Sequence, residues 1–142
     1  MACRMHKVQV WTAEIDDRPG AAAAKLELLA KAGADLEFVF TRPAKDAPEK
    51  TALFLAPIEG TDQLQAAQMA GLRPAREMAM LCLEGENRPG IGYELMYRLA
   101  VAGINLPGMS ISAVGDRFAA YLAFHNADDV TLAIRLFADM AA

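Results

Sequence analysis

The stretch Asp16-Asp17-Arg18-Pro19-Gly20 returns seventy residues later as Glu86-Asn87-Arg88-Pro89-Gly90. At the same spacing Leu29-Ala30-Lys31-Ala32-Gly33-Ala34-Asp35-Leu36 meets Leu99-Ala100-Val101-Ala102-Gly103-Ile104-Asn105-Leu106. Eight of the twenty positions over 17–36 are identical, and pairs such as Asp17 with Asn87 are chemically close. Further on, Thr51–Ala56 aligns with Phe118–Ala123 at an offset of 67, so one connecting loop is three residues shorter in the second copy. The chain is a tandem duplication, with modules predicted over 6–75 and 76–142.

Each module has a legible element order. Lys7 to Ile15 is rich in Val, Trp, Thr and Ile and predicts a strand. After the Pro-Gly break, residues 19–32 are good helix formers, with Leu26 and Leu29 on one face and Gly33 as terminator. Strands are predicted over 36–41 and 51–56, then a short helix over 61–70 capped by Thr61 or Gly60, then room for a closing strand near 72–75. In the second copy the strand is 78–84. Its helix is 89–102, with Ile91, Leu95, Leu99 and Ala102 inward. A hairpin follows over 109–114 and 117–124 around Gly115-Asp116. The last helix, 128–138, is capped by Asp128 or Asn126. No strand is predicted after it, so the second copy either lacks its closing strand or borrows one. The expected fold is α+β: two ferredoxin-like βαββαβ modules, each an antiparallel sheet with helices on one face.

Composition narrows the function classes. The 142 residues carry 14 Lys+Arg against 18 Asp+Glu, with no basic run, which argues against a nucleic-acid or anionic-membrane partner. No apolar stretch approaches membrane-spanning length and no signal peptide is legible. Cys3 and Cys82 lack a CxxC spacing, which fits a reducing cytoplasm. Only two histidines (His6, His125) and two serines (Ser110, Ser112) occur, and no nucleophile elbow, zinc helix or phosphate loop is present. The expectation is a cytoplasmic non-enzyme, with no cofactor and no metal.

The turn motif, followed by a helix and then Ala102-Gly103-Ile104-Asn105-Leu106, resembles the ACT domain, a small amino-acid-sensing regulatory module. It is most similar to the serine-sensing ACT modules of phosphoglycerate dehydrogenase. The resemblance covers both copies, hence nearly the whole chain. It implies a free amino acid as ligand, held between two facing modules by the turn of one and the start of the second strand of the other. It also implies a biosynthetic enzyme or transporter as downstream partner, while the sheet face that such small modules leave bare points to a homodimer. Carried over by motif, the ligand-binding residues are Asn87, Arg88, Pro89, Gly90, Ile91, Gly92, Asn105 and Leu106. In the first copy they are Asp17, Gly20, Ala21, Asp35 and Leu36. The serine sensors carry a His two residues before the turn Asn. Gly85 stands there in this chain, and Ile15 in the first copy, so the resemblance leaves the identity of the amino acid open.

The residue types support this independently. An amino acid brings an ammonium and a carboxylate that both need partners once desolvated. Asn can accept from one and donate to the other, and unpaired N–H groups at a helix start attract an anion. The second copy is expected to bring both kinds of group to one corner. In the first copy, Asp17 and Asp35 would hold only an ammonium, or share a proton if close, and so mark either an ammonium-only site or a decayed one. Simpler readings stand beside these: a turn and cap at the motif, helix terminators at Gly33 and Gly103, core filling by Met78, Met80, Met96 and Met109, and half-buried Tyr93 and Tyr97. A structural dimerisation module and a small enzyme are the alternative functions.

Overall fold

In the computed structural model of the chain, residues 3–140 are described; Ala141 and Ala142, the end of the expected second module, lie outside them. Eight strands and four α-helices follow in the order β1 (Cys3–Val8), β2 (Trp11–Asp16), α1 (Ala21–Lys31), β3 (Phe38–Pro43), β4 (Lys50–Ala56), α2 (Gly60–Met69), β5 (Arg73–Pro74), β6 (Ala79–Glu86), α3 (Ile91–Val101), β7 (Gly108–Val114), β8 (Arg117–Phe124) and α4 (Ala127–Leu136), with a 3₁₀ turn at Ala138–Met140. They form two compact units: residues 9–75, and residues 3–8 together with 76–140.

The unit spanning 9–75 has strand order β3-β4-β2-β5, all antiparallel, with α1 and α2 supplying the helix layer. The other unit has order β1-β6-β8-β7. These are one βαββαβ topology used twice. The register preserves the offsets seen in the sequence, since Trp11 pairs with Leu55 and Leu81 with Leu122.

The strand missing after α4 is β1. It pairs antiparallel with β6 from Cys3 against Gly85 to Val8 against Met80, and so occupies the position that β5 holds beside β2. The strand read from Lys7 to Ile15 is therefore two strands, broken at Gln9-Val10, and the first belongs to the unit built from the end of the chain. The expected boundary at residue 6 moves to residue 9, because backbone pairing with β6 outweighs sequence proximity. A bare β6 edge would expose unpaired amides and carbonyls.

Each unit has its own core. In residues 9–75 it is built from Leu29, Leu53, Leu55 and Leu72 with the small Ala66, Ala67 and Ala70. The other unit uses larger groups, among them Leu81, Leu83, Leu95, Leu99, Phe118, Phe124 and Phe137. Helix ends follow the sequence chemistry. Asn126 caps α4 by accepting from Asp129 N at 2.8 Å. α2 is instead entered at Glu59, whose N–H donates to Gln63 Oε1, while Gln63 Nε2 donates to Gly33 O at the end of α1. The Gly115-Asp116 hairpin has positive φ at Gly115 alone, the pattern of a type II′ turn.

Candidate functional site at the two ends of α3

The repeated turn has nearly the same backbone in both copies. Gly20 and Gly90 sit at φ 86° and 85°, immediately before α1 and α3. A side chain is strained in this left-handed region, which is why Gly follows Pro at both positions. A Cβ built at either Gly meets nothing within 4 Å, so both turns face open space. Asn87 N donates to Asp116 O at 2.7 Å, tying the turn to the β7–β8 hairpin; Asp17 N does the same to Glu49 O at 3.0 Å. Among the described residues no side chain caps either helix. The first-turn amides of α3 at Gly92 and Tyr93 therefore keep their outward anion preference. Asn87, Pro89 and Gly90 are exposed beside them, Gly92 is half-buried and Ile91 is in the core.

At the other end of α3 the chain turns through Gly103, with Gly103 N donating to Ala100 O and Ile104 N to Leu99 O. Here a cavity of about 350 Å³ is lined by Met96, Leu99, Ala100, Ile104, Asn105, Leu106, Gly108 and Met109. Asn105 is exposed and supplies the single polar side chain of the lining; Leu106 is half-buried. A helix C-terminus carries partial negative charge and favours a cation. The sequence reading found Asn105 and Leu106 but missed the other six residues. The signal for three of them was the 96–99–100 spacing on one helix face.

The two halves of the expected corner do not meet. α3 has eleven residues and so separates the turn from the Asn105 segment by about 16 Å. The sheet agrees. The turn follows the Glu86–Arg117 end, whereas Gly108 pairs with Ala123 at the end where Ala79 pairs with Phe124. Asp17 and Asp35 are split in the same way by α1, so they cannot share a proton. The expectation of both kinds of group at one corner of one module is therefore corrected. Closeness of the two motifs along the chain does not bring them together, because a whole helix lies between them.

Arg88 turns back onto its own helix. Its guanidinium pairs with Glu94 Oε2, and Glu94 Oε1 lies 3.3 Å from Arg98 Nη2. Arg98 Nη1 then reaches Asp139 Oδ1 at 2.5 Å and Leu136 O at 3.0 Å. This chain of charges fastens the turn to α3 and α3 to the segment after α4. The Arg98 guanidinium holds the Asp139 carboxyl below its ordinary pKa. In the first copy Ala24 and Leu28 stand at the aligned positions, and Arg18 pairs with Asp16 at 3.5 Å instead. Lys50 also reaches Asp16, at 2.6 Å, and this contact chiefly lowers the Asp16 pKa and raises that of Lys50. Gly20 and Asp35 are exposed, Ala21 is buried and Leu36 is half-buried.

Other singled-out residues fall in place without chemistry. Cys82 is buried in β6, and burial chiefly raises the thiol pKa of Cys3. Tyr93 and Tyr97 stack at 5.8 Å on the outer face of α3 and are more exposed than expected, at 73% and 56%. Among the described residues no three His, Cys, Asp or Glu side chains are grouped to hold a metal, and no helix is long and apolar enough to cross a membrane.

Solved structures share this architecture. The protein BT0572 from Bacteroides thetaiotaomicron superposes with a TM-score of 0.74 at 13% identity, covering 96% of this chain and 89% of that one. The ligand-free regulatory subunit of aspartate kinase from Thermus thermophilus gives 0.66 at 16% identity, covering 99% and 97%. This chain has a tandem ACT fold. The same tandem ACT fold matches part of E. coli aspartokinase III in complex with lysine and aspartate (T-state), with TM-score 0.56 and 15% identity over 99% of this chain and 33% of that one. At such identities the likeness is one of fold. No family model matches the sequence, and no curated protein does.

Proposed function

We propose that the protein is a non-catalytic regulatory module that binds a free amino acid and signals through ligand-biased association with a second copy. The observation that carries this reading is the cavity at the C-terminal end of α3, with Asn105 exposed in its lining. There the helix carbonyls and the Asn105 amide suit an ammonium, while the uncapped N-terminal end of α3 suits a carboxylate. One amino acid is too short to span both ends of one helix, so a doubly held ligand takes one end from each of two copies.

The strand edges favour such an arrangement. β1 carries Arg4 and Lys7, β3 carries Arg42 and Pro43, and β5 is two residues long with Pro74. These are ordinary protections against edge pairing. β7, Gly-Met-Ser-Ile-Ser-Ala-Val, has neither charge nor proline, and its Met109 and Val114 are 56% and 81% exposed. Antiparallel pairing of β7 with its own copy would set the Gly108 end of one strand against the Val114 end of the other. The turn carrying Asn87 lies at the Val114 end, so each cavity would gain the bare amides of the partner's α3. Arg88 then positions the turn through Glu94. The aspartate kinase structures above are described as a regulatory subunit and as a lysine and aspartate complex, which supports an amino-acid ligand and an enzyme partner.

The test is a thermal-shift screen of the full chain with the twenty amino acids, read beside sedimentation with and without the hit. A ligand at a hundredfold excess over Kd should add about 2.7 kcal/mol and shift the chain toward the dimer. Asn87→Ala and Asn105→Ala should each weaken both effects. A flat screen, or a hit indifferent to both substitutions, overturns the proposal.

A further inference from the structure

Resting on the amino-acid reading above, we infer that the cavity at the end of α3 selects an uncharged aliphatic side chain, that of leucine, isoleucine, valine or methionine. Its walls are Met96, Leu99, Ala100, Ile104, Leu106 and Met109, and no charged residue lines it. A ligand bearing a second carboxylate or ammonium would set that charge against apolar walls with no counter-charge in the lining. A hydroxyl fares little better: the single side-chain amide, Asn105, is occupied by the ligand's own ammonium. At about 350 Å³ the space lies at the small end of ligand pockets and is enough for an amino acid. Met96 and Met109 are unbranched and adaptable, which suits aliphatic groups of differing branching.

The first unit supplies an internal control. At the aligned positions Ile104 becomes Ala34, Asn105 becomes Asp35 and Gly108 becomes Phe38. That corner has lost a branched wall and gained a carboxylate. Phe38 stacks on Phe40 at 5.6 Å, so the strand is bulky where β7 begins with Gly. The selection belongs to the unit containing α3, with one ligand per chain.

Isothermal titration of the full chain with leucine, isoleucine, methionine, valine, phenylalanine, alanine, serine, aspartate and lysine tests this. Each further buried methylene should tighten binding about fourfold, so leucine should exceed alanine on the order of fiftyfold. Ala100 is exposed on a helix, and Ala100→Leu keeps a good helix former while filling the cavity. It should weaken leucine at least tenfold and leave alanine unchanged, with circular dichroism confirming the fold. Met109→Ala, which enlarges the cavity, should improve phenylalanine relative to leucine. Serine, aspartate or lysine binding as tightly as leucine and lost in Ala100→Leu would overturn the side-chain class while sparing the amino-acid reading. Leucine binding untouched by Ala100→Leu and Met109→Ala would place the site elsewhere and overturn the inference. If none of the nine binds while another amino acid does, the side-chain class falls alone; if none of the twenty binds, both fall.

Discussion

The turns at 16–21 and 86–91 have almost the same backbone and quite different surroundings. In both, Gly sits at φ near 85°, the helix's first N–H returns to the Arg carbonyl at 3.3 or 3.2 Å, and the residue after the first Asp or Glu is tied to the facing hairpin loop. Around the first turn, Asp16 gathers Arg18 and Lys50 at the exposed sheet end. Around the second, Arg88 feeds a line of charges through Glu94 and Arg98 to Asp139. Pro and Gly preserve a backbone, and so a helix start, while the side chains beside it drift. Duplication has kept the scaffold twice and has left different charged contacts beside each copy.

The sharpest way to break the symmetry is to remove residues 1–8. This bares β6 and should unfold or loosen the unit of 76–140 while leaving residues 9–75 folded. Trp11, the one tryptophan, lies in the surviving unit, so its fluorescence should stay native while amide protection over 79–86 is lost. Equal loss in both units would show that they do not fold separately. Next in size are the paired core truncations. Leu29 and Leu99 are 0% and 2% exposed, and each Leu→Ala should cost about 2–5 kcal/mol in urea unfolding. Gly20→Ala and Gly90→Ala should each cost about 1–2 kcal/mol from backbone strain alone, since no neighbour stands in the way of the new methyl. Unequal costs at the two glycines would mean that the turns are not equivalent. Breaking Arg88–Glu94 with Glu94→Gln should cost about 0.2–1 kcal/mol, because both side chains are partly exposed.

These contrasts also explain what the sequence could reveal. The duplication, the element order and the ferredoxin-like topology were legible because identical turn residues and helix faces recur at a fixed offset. The Gly115-Asp116 hairpin was legible for a local reason, a Gly-X pair between two strand-forming runs. The partner of β6 was not: β1 and β6 are brought together by long-range backbone pairing, and nothing in Cys3–Val8 marks its destination. The site was half legible. Asn87 and Asn105 stood out as residue types, but their separation by the length of α3 appears only when a helix is counted as a distance. Arg88 read as a ligand contact because its partner, Glu94, lies six residues on and looks like any exposed helix Glu. The cavity walls, Met96, Ala100 and Met109, were hidden among ordinary core formers.

The smallest expected effect separates the two turns by pH. Asp16 is held below its ordinary pKa chiefly by its hydrogen bond from Lys50, and Asp139 by its hydrogen bond from Arg98. For each, the folded carboxyl has the lower pKa, so its contribution is complete above the ordinary Asp value of about 3.9 and fades as pH falls through the lowered one. Both units should loosen slightly on that acid side, and Asp16→Asn or Asp139→Asn should flatten the slope in its own unit. The alkaline side differs. Lys50 has a raised pKa, so its contribution is present below the ordinary Lys value of about 10.4 and fades as pH rises through the higher folded one. Urea midpoints followed by Trp11 should therefore fall at high pH in the unit of residues 9–75, and Lys50→Arg should remove the fall. An equal alkaline loss in Lys50→Arg would show that the contact with Asp16 is not its source.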